Sequence, residues 1–323
     1  MRRREFLGWL TGGVIALPFA AGAQGLKVFR VGIFSAGGEP IPEVWAIFVE
    51  ALRELGWIEG KTIIFERRLA YNRLDRVPDM ANELVGLNVD LIVTIGSLAP
   101  LAAKKATSTI PILMTAAGDP LGMGLVANLA RPGGNMTGFS LMAADIGGKR
   151  LELLAETLPG LSRVAVLWNA TNPYATAVFK QTQAAGQTLG IEIQPLGVRG
   201  PDDFREALED GLRSSALIVV EDPLTTDYRG QIADFATRHR LPSIYGIREF
   251  VEAGGLMSYG TDLSDLYRRA ARYVDKILRG AKPGDLPVEQ PTKFDLFINL
   301  KAAKTIGVQI PVTMLTRANE VLE

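Results

Sequence analysis

The stretch LIVTIGSLAPLAAKKATSTIPILMTA (91–116) decides the fold. Two short apolar runs, LIVTIG (91–96) and IPILMTA (110–116), flank SLAPLAAKKAT (97–107), which has helical composition. Neither run alternates apolar with polar residues. A strand covered on both faces has that continuous Ile/Val/Leu character, and such strands belong to parallel sheets with helices on either side.

Reading outward, the same unit recurs. Upstream lie LKVFRVGIF (26–34), a helix near 41–55, KTIIFERRLA (61–70) and a helix near 74–86. Downstream lie a short strand NMTGFS (135–140) and the helix DIGGKRLELLAETLP (145–159). The scheme then restarts with RVAVLWN (163–169), a helix near 175–189, IEIQPLGV (191–198), a helix near 202–213, ALIVVED (216–222), a helix near 228–239, LPSIYG (241–246), a helix near 248–253 and LMSYG (256–260). Two such runs predict an α/β protein of two doubly wound, parallel-sheet lobes. The tail differs. DLYRRAARYVDKILRG (265–280) places Leu266, Ala270, Tyr273, Val274 and Ile277 at helical spacing and ends at a glycine. An extended run, VEQPTKFDLFINL, and a short helix at 300–306 follow. A closing strand and helix so far from the first lobe in sequence imply several crossings, hence a hinge and a closing cleft. The expected partition is 24–140 with 260–285, and 141–259 with 286–323.

The N-terminus reads as an address. Arg3-Arg4-Glu5-Phe6-Leu7 has the twin-arginine form R-R-x-F-L, Leu10 to Ala21 is apolar, and Ala21-Gly22-Ala23 is a small-x-small cleavage site. That apolar run is short of the about 20 residues that span a bilayer. Residues 1–23 are therefore expected to be a signal peptide cleaved after Ala23, giving a periplasmic protein. An ordinary secretory signal or an uncleaved anchor are the alternatives. The segment removes three of 35 basic and one of 35 acidic residues, leaving a net charge of −2. That balance argues against a nucleic-acid face and a polybasic membrane patch.

There is no cysteine and one histidine, so thiolate catalysis, cysteine metal sites and a lipidated N-terminal cysteine are excluded, and no metal or cofactor is expected. GMGLVA (122–127) matches G-x-G-x-x-A but follows Pro120 rather than a strand end, so it reads as a glycine-rich turn leading to a helix GLVANLA. Gly147-Gly148-Lys149 lacks the rest of a P-loop, and His239 caps a helix C-terminus. Glu221-Asp222 is the one carboxylate pair directly at a strand end. It admits three readings: a weak hydrolase pair, a cap on the turn before Pro223, or a holder for a ligand ammonium.

GDPLGMGLVANLARPGGNMTGFS (118–140), GGLMSYG (254–260), YVDKILRGAKPGDLPVEQPTKFDLFINLKAAKTIG (273–307) and IPVTMLTRANEVLE (310–323) resemble, in order along the chain, the substrate-binding proteins of ABC importers in the tryptophan/tyrosine transport group. The resemblance implies the type I periplasmic binding-protein fold, three crossings, a small ligand in the cleft, an inner-membrane permease as partner, and no enzymatic activity. The ligand expected is an amino acid, an aromatic one among the options, or a related metabolite, and the protein is expected to be a monomer. A sensor domain for a membrane receptor and an enzyme on this fold are the competing readings. Strand ends supply the candidate contacts. Ser35, Ser97, Thr115 and Asp119 serve the first lobe, with Asp119 equally able to cap its own loop. Asn169, Asn172, Tyr174, Glu221 and Asp222 serve the second, with Trp168 and Tyr245 as aromatic walls.

Overall fold

The computed structural model describes residues 27–141 and 145–323. The signal segment expected over 1–23 lies outside them. The first sheet has five strands: β1 (Phe29–Ser35), β2 (Ile63–Leu69), β3 (Leu91–Ile95), β4 (Ile112–Ala117) and β5 (Met136–Ser140). They are all parallel, in the order β2-β1-β3-β4-β5. Helices α1 (Pro42–Glu54), α2 (Val77–Gly86) and α3 (Leu98–Ala106) are its crossovers. Every residue of β4 and β5 is buried, as in strands covered on both faces. The edge strand β2 carries Glu66, Arg67 and Arg68, charges that discourage pairing with another chain.

After α4 (Ile146–Thr157) the second sheet forms from β6 (Arg163–Asn169), β7 (Glu192–Val198), β8 (Ala216–Val219), β9 (Ser243–Tyr245), β10 (Met257–Gly260), β11 (Asp295–Asn299) and β12 (Glu320–Leu322). Its order is β12-β11-β10-β9-β8-β6-β7, with β11 antiparallel to β10. Helices α5 (Pro173–Leu189), α6 (Phe204–Gly211), α7 (Pro223–Asp227), α8 (Arg229–Arg238) and α9 (Glu249–Glu252) cover it. The amphipathic α10 (Leu263–Leu278), capped by Asp262, returns to the first lobe. There Leu266, Ala270 and Val274 join the core of Val31, Ile33 and Leu91. The short α11 (Leu300–Ile306) and α12 (Val312–Arg317) complete the second lobe.

Two details differ from the sequence expectation. Residues 286–289 stay with the first lobe: the Val288 N–H donates to the Leu129 carbonyl and the Glu289 N–H to that of Gly138. The last crossing therefore follows Glu289. GLVANLA (124–130) is not helical. Gly124 has φ +65°, and the Asn128 side chain accepts the N–H groups of Ala130 and Arg131, a local turn that competes with helix.

Candidate functional site

In both sheets the strand order reverses next to the first strand, between β1 and β3 and between β6 and β8. A crevice opens at such points beyond the strand C-termini, and here the two crevices face each other. Ser35, Ile95, Ser97 and Ala116 from one lobe, with Asn172, Tyr174, Glu221, Asp222 and Ile247 from the other, line one cavity, partly open to solvent. Ile41, Val44, Leu141, Leu263 and Tyr267 add an apolar wall.

The lobes are closed on each other. Asp227, of the second lobe, accepts at Oδ2 from the Gly38 N–H at 2.8 Å and from Asn72 Nδ2 at 2.9 Å, both of the first lobe. Ile41 and Leu263 pack on the second-lobe apolar cluster that holds Ile247 and Phe250. A Cβ on Gly96 would lie 2.6 Å from Pro223, so the start of α3 touches the turn that follows Asp222.

The floor on the second lobe is a buried polar network. Tyr174 donates its hydroxyl to Glu221 Oε1 at 2.6 Å, and Arg150 donates Nη1 to Glu221 Oε2 at 2.6 Å. Burial, and next the Glu221 carboxylate, push the Tyr174 phenol well up, so it remains a donor. Asp222 is held only by neutral groups: Asn169 Nδ2 at 2.9 Å, Asn172 Nδ2 at 2.6 Å and the Leu224 N–H at 2.8 Å, the last as N-cap of α7. Burial raises the Asp222 carboxyl above its usual range, against the pull of those three donors. On the first-lobe side, Ser97 precedes α3, but its Oγ accepts from the Gly118 N–H at 2.8 Å. The first amides of α3 therefore have no side-chain cap. Among the described residues no Lys, Arg or His lines the cavity.

The remaining expected contacts lie elsewhere. Trp168 is not a cleft wall. Its ring stacks at 3.9 Å on Phe179 of α5, the helix that follows its own strand β6. Tyr245 is fully buried and stacked on Phe250 at 4.6 Å, within the second-lobe core. Asn169 acts behind the cavity, on Asp222. Thr115 donates to the Thr94 carbonyl beside the Tyr267 hydroxyl. Asp119 Oδ1 accepts the Gly122 N–H at 2.8 Å and so caps its own loop.

Sequence reasoning missed Arg150, Asp227 and Tyr267. For Arg150 there was a signal. It falls four residues after Ile146 and four before Leu154, in phase with the buried face of α4, where an arginine must find a partner. No pattern in sequence marks Asp227.

Two doubly wound lobes closed over a cavity at their strand ends define a ligand-clasping binding protein. The chain belongs to the ABC transporter substrate binding protein family, whose sequence model matches residues 42–322. It is 27% identical over 264 residues, 81% of this chain and 76% of the relative, to a tyrosine-binding protein of Clostridioides difficile (strain R20291). Among solved structures, a conserved domain protein from Vibrio cholerae superposes with TM-score 0.84 at 28% identity, covering 91% of this chain and all of that one. An ABC domain from Streptococcus pneumonia in complex with L-Trp superposes with TM-score 0.82 at 22% identity, covering 92% and 100%.

Proposed function

We propose that this protein is an exported receptor that clasps a single zwitterionic α-amino acid with an apolar, preferably aromatic, side chain and presents its closed form to a membrane permease. The observation that carries the reading is Asp222, a buried carboxylate with three neutral donors and, among the described residues, no cation, facing a cavity with an apolar wall. A ligand ammonium supplies the missing charge. The uncapped amides at the start of α3, across the seam, suit the ligand carboxylate. Tyr174 and Tyr267 are the aromatic faces available to the side chain. The tyrosine named for one relative and the L-Trp bound in the S. pneumonia structure fit this cavity chemistry.

Export fits the twin arginines and the Ala21-Gly22-Ala23 site. No described helix is long and apolar enough to cross a membrane. Within this reading the signal is removed after Ala23, and the protein works as a periplasmic monomer without enzymatic activity.

The test is mass spectrometry of whatever copurifies, followed by calorimetry with L-tyrosine and L-tryptophan on the wild type and on Asp222→Asn. Removing the charge should weaken binding by about 2–5 kcal/mol, because the ammonium is left buried and unpaired. Undiminished affinity in Asp222→Asn, or failure of every amino acid to bind, would sink the reading.

A further inference from the structure

Arg150 is the largest fully buried side chain among the described residues, yet it does not line the cavity. Its guanidinium is divided between two acceptors: Glu221 Oε2 at 2.6 Å and, through Nε, the Tyr259 carbonyl at 2.8 Å. Tyr259 stands on β10, immediately before the crossing to α10. With Tyr174 on its other oxygen, Glu221 is matched in charge and engaged at both oxygens before any ligand arrives. Asp222, one residue on, has no cation among the described residues. Of the other two carboxylates that line the cavity, Glu39 pairs with Arg67 at 2.9 Å and Asp227 is engaged at the seam.

We infer that Arg150 is a positioning residue that sets the charge selectivity of the cleft. By cancelling Glu221 it leaves Asp222 as the one unmatched carboxylate on the floor, so the site takes ligands with a single ammonium and turns away those with a second cationic group. The inference rests on the reading that a ligand ammonium meets Asp222.

Four variants separate it from a purely structural role: Arg150→Met, Glu221→Gln, the two combined, and Arg150→Lys. The probes are L-tyrosine, L-tryptophan and, for a second cation, L-lysine, titrated between pH 5 and 8, where the ligand's own ammonium keeps its proton. Glu221→Gln leaves a bare guanidinium beside the site and should weaken L-tyrosine binding at least about tenfold at every pH. Arg150→Met leaves a buried carboxylate without its cation, which takes up a proton rather than stay charged. Its affinity for L-tyrosine should therefore vary with pH more steeply than that of the wild type, and L-lysine binding should appear at the high end. The double variant removes both charges. It should recover to within about fivefold of wild type with the wild-type profile, since a matched pair can be replaced at little loss. Arg150→Lys keeps the charge and should keep the wild-type profile.

A double variant as weak as Glu221→Gln would overturn the inference, because Glu221 would then serve the ligand directly. An Arg150→Lys as pH-dependent as Arg150→Met would overturn it by assigning the effect to packing. Should Arg150→Met not fold, Glu221→Gln against the double variant makes the same comparison. If the wild type binds none of the probes, it is the amino-acid reading that fails. Melting temperature against pH without ligand then decides the inference: a proton taken up by Arg150→Met and not by the double variant supports it, and equal slopes refute it.

Discussion

Asp227 ties the second lobe to the first across the seam, and its removal has a calculable effect. In the closed form its Oδ2 accepts two hydrogen bonds across the seam, from Gly38 at 2.8 Å and Asn72 at 2.9 Å. Bonds to a charged acceptor contribute about 1.5–3 kcal/mol each, so Asp227→Ala forfeits roughly 3–6 kcal/mol gross. Two effects offset this. Burial raises the Asp227 carboxyl above its usual range, a sign that closing the lobes strips water from it, and the alanine variant escapes that penalty. Gly38 and Asn72 are only half-buried, so water replaces the lost acceptor. A net loss of about 1–2 kcal/mol remains, which falls on the closed form and appears as a ligand Kd raised about 5- to 30-fold. Asn72→Ala removes one of the two bonds and should raise Kd by about half as much in free energy. Calorimetry gives the affinity, and small-angle scattering with saturating ligand gives the closed fraction. An Asp227→Ala protein that folds normally and binds within twofold of wild type would refute a latch at this position.

Gly37→Ala is a second probe of closure. Its Cβ would lie 2.7 Å from the Pro223 Cβ across the seam, so the variant should fold and melt like wild type yet bind ligand at least about tenfold more weakly; unchanged affinity would mean that the lobes stop short of this contact. Glu249 predicts a pH effect on stability. Its carboxyl is buried, its Oε2 has no partner, and burial, reinforced by Glu252 and Asp262 against Arg229, pushes it up from 4.5 to about 7. The folded protein therefore holds a proton that the unfolded chain releases between pH 4.5 and 7. The stabilisation is complete below that window and is lost as pH rises through it, by about 2–3 kcal/mol. Thermal denaturation from pH 4 to 8 should show the decline in wild type and not in Glu249→Gln; parallel curves would remove Glu249 as the cause.

Much of the molecule was legible because burial leaves a local trace. Strands covered on both faces must be continuously apolar, and β3, β4, β6 and β8 were visible for that reason. The stripe of α10 announced a helix packed along one side. Among cleft residues, Ser35, Ser97, Asn172, Tyr174, Glu221 and Asp222 were legible because strand C-termini of a parallel sheet must face the crevice. Position along a strand does not report side-chain direction, however. Trp168 is the penultimate residue of β6 and still turns away to stack on Phe179.

The sequence by itself therefore determined the two-lobed α/β plan, the return of the tail and the strand ends from which a site is built. Each of these follows from hydrophobic periodicity and turn chemistry within a few tens of residues. Only the tertiary structure decided which carboxylate is free. Glu221 and Asp222 are neighbours with the same chemistry, and they differ because a guanidinium 71 positions away reaches one of them, while amides 50 and 53 positions away hold the other. Only it decided, too, that Asp227 meets Asn72 across 155 residues of chain. Local propensity says which groups are present. Charge compensation is a property of distances in space, and folding alone sets those.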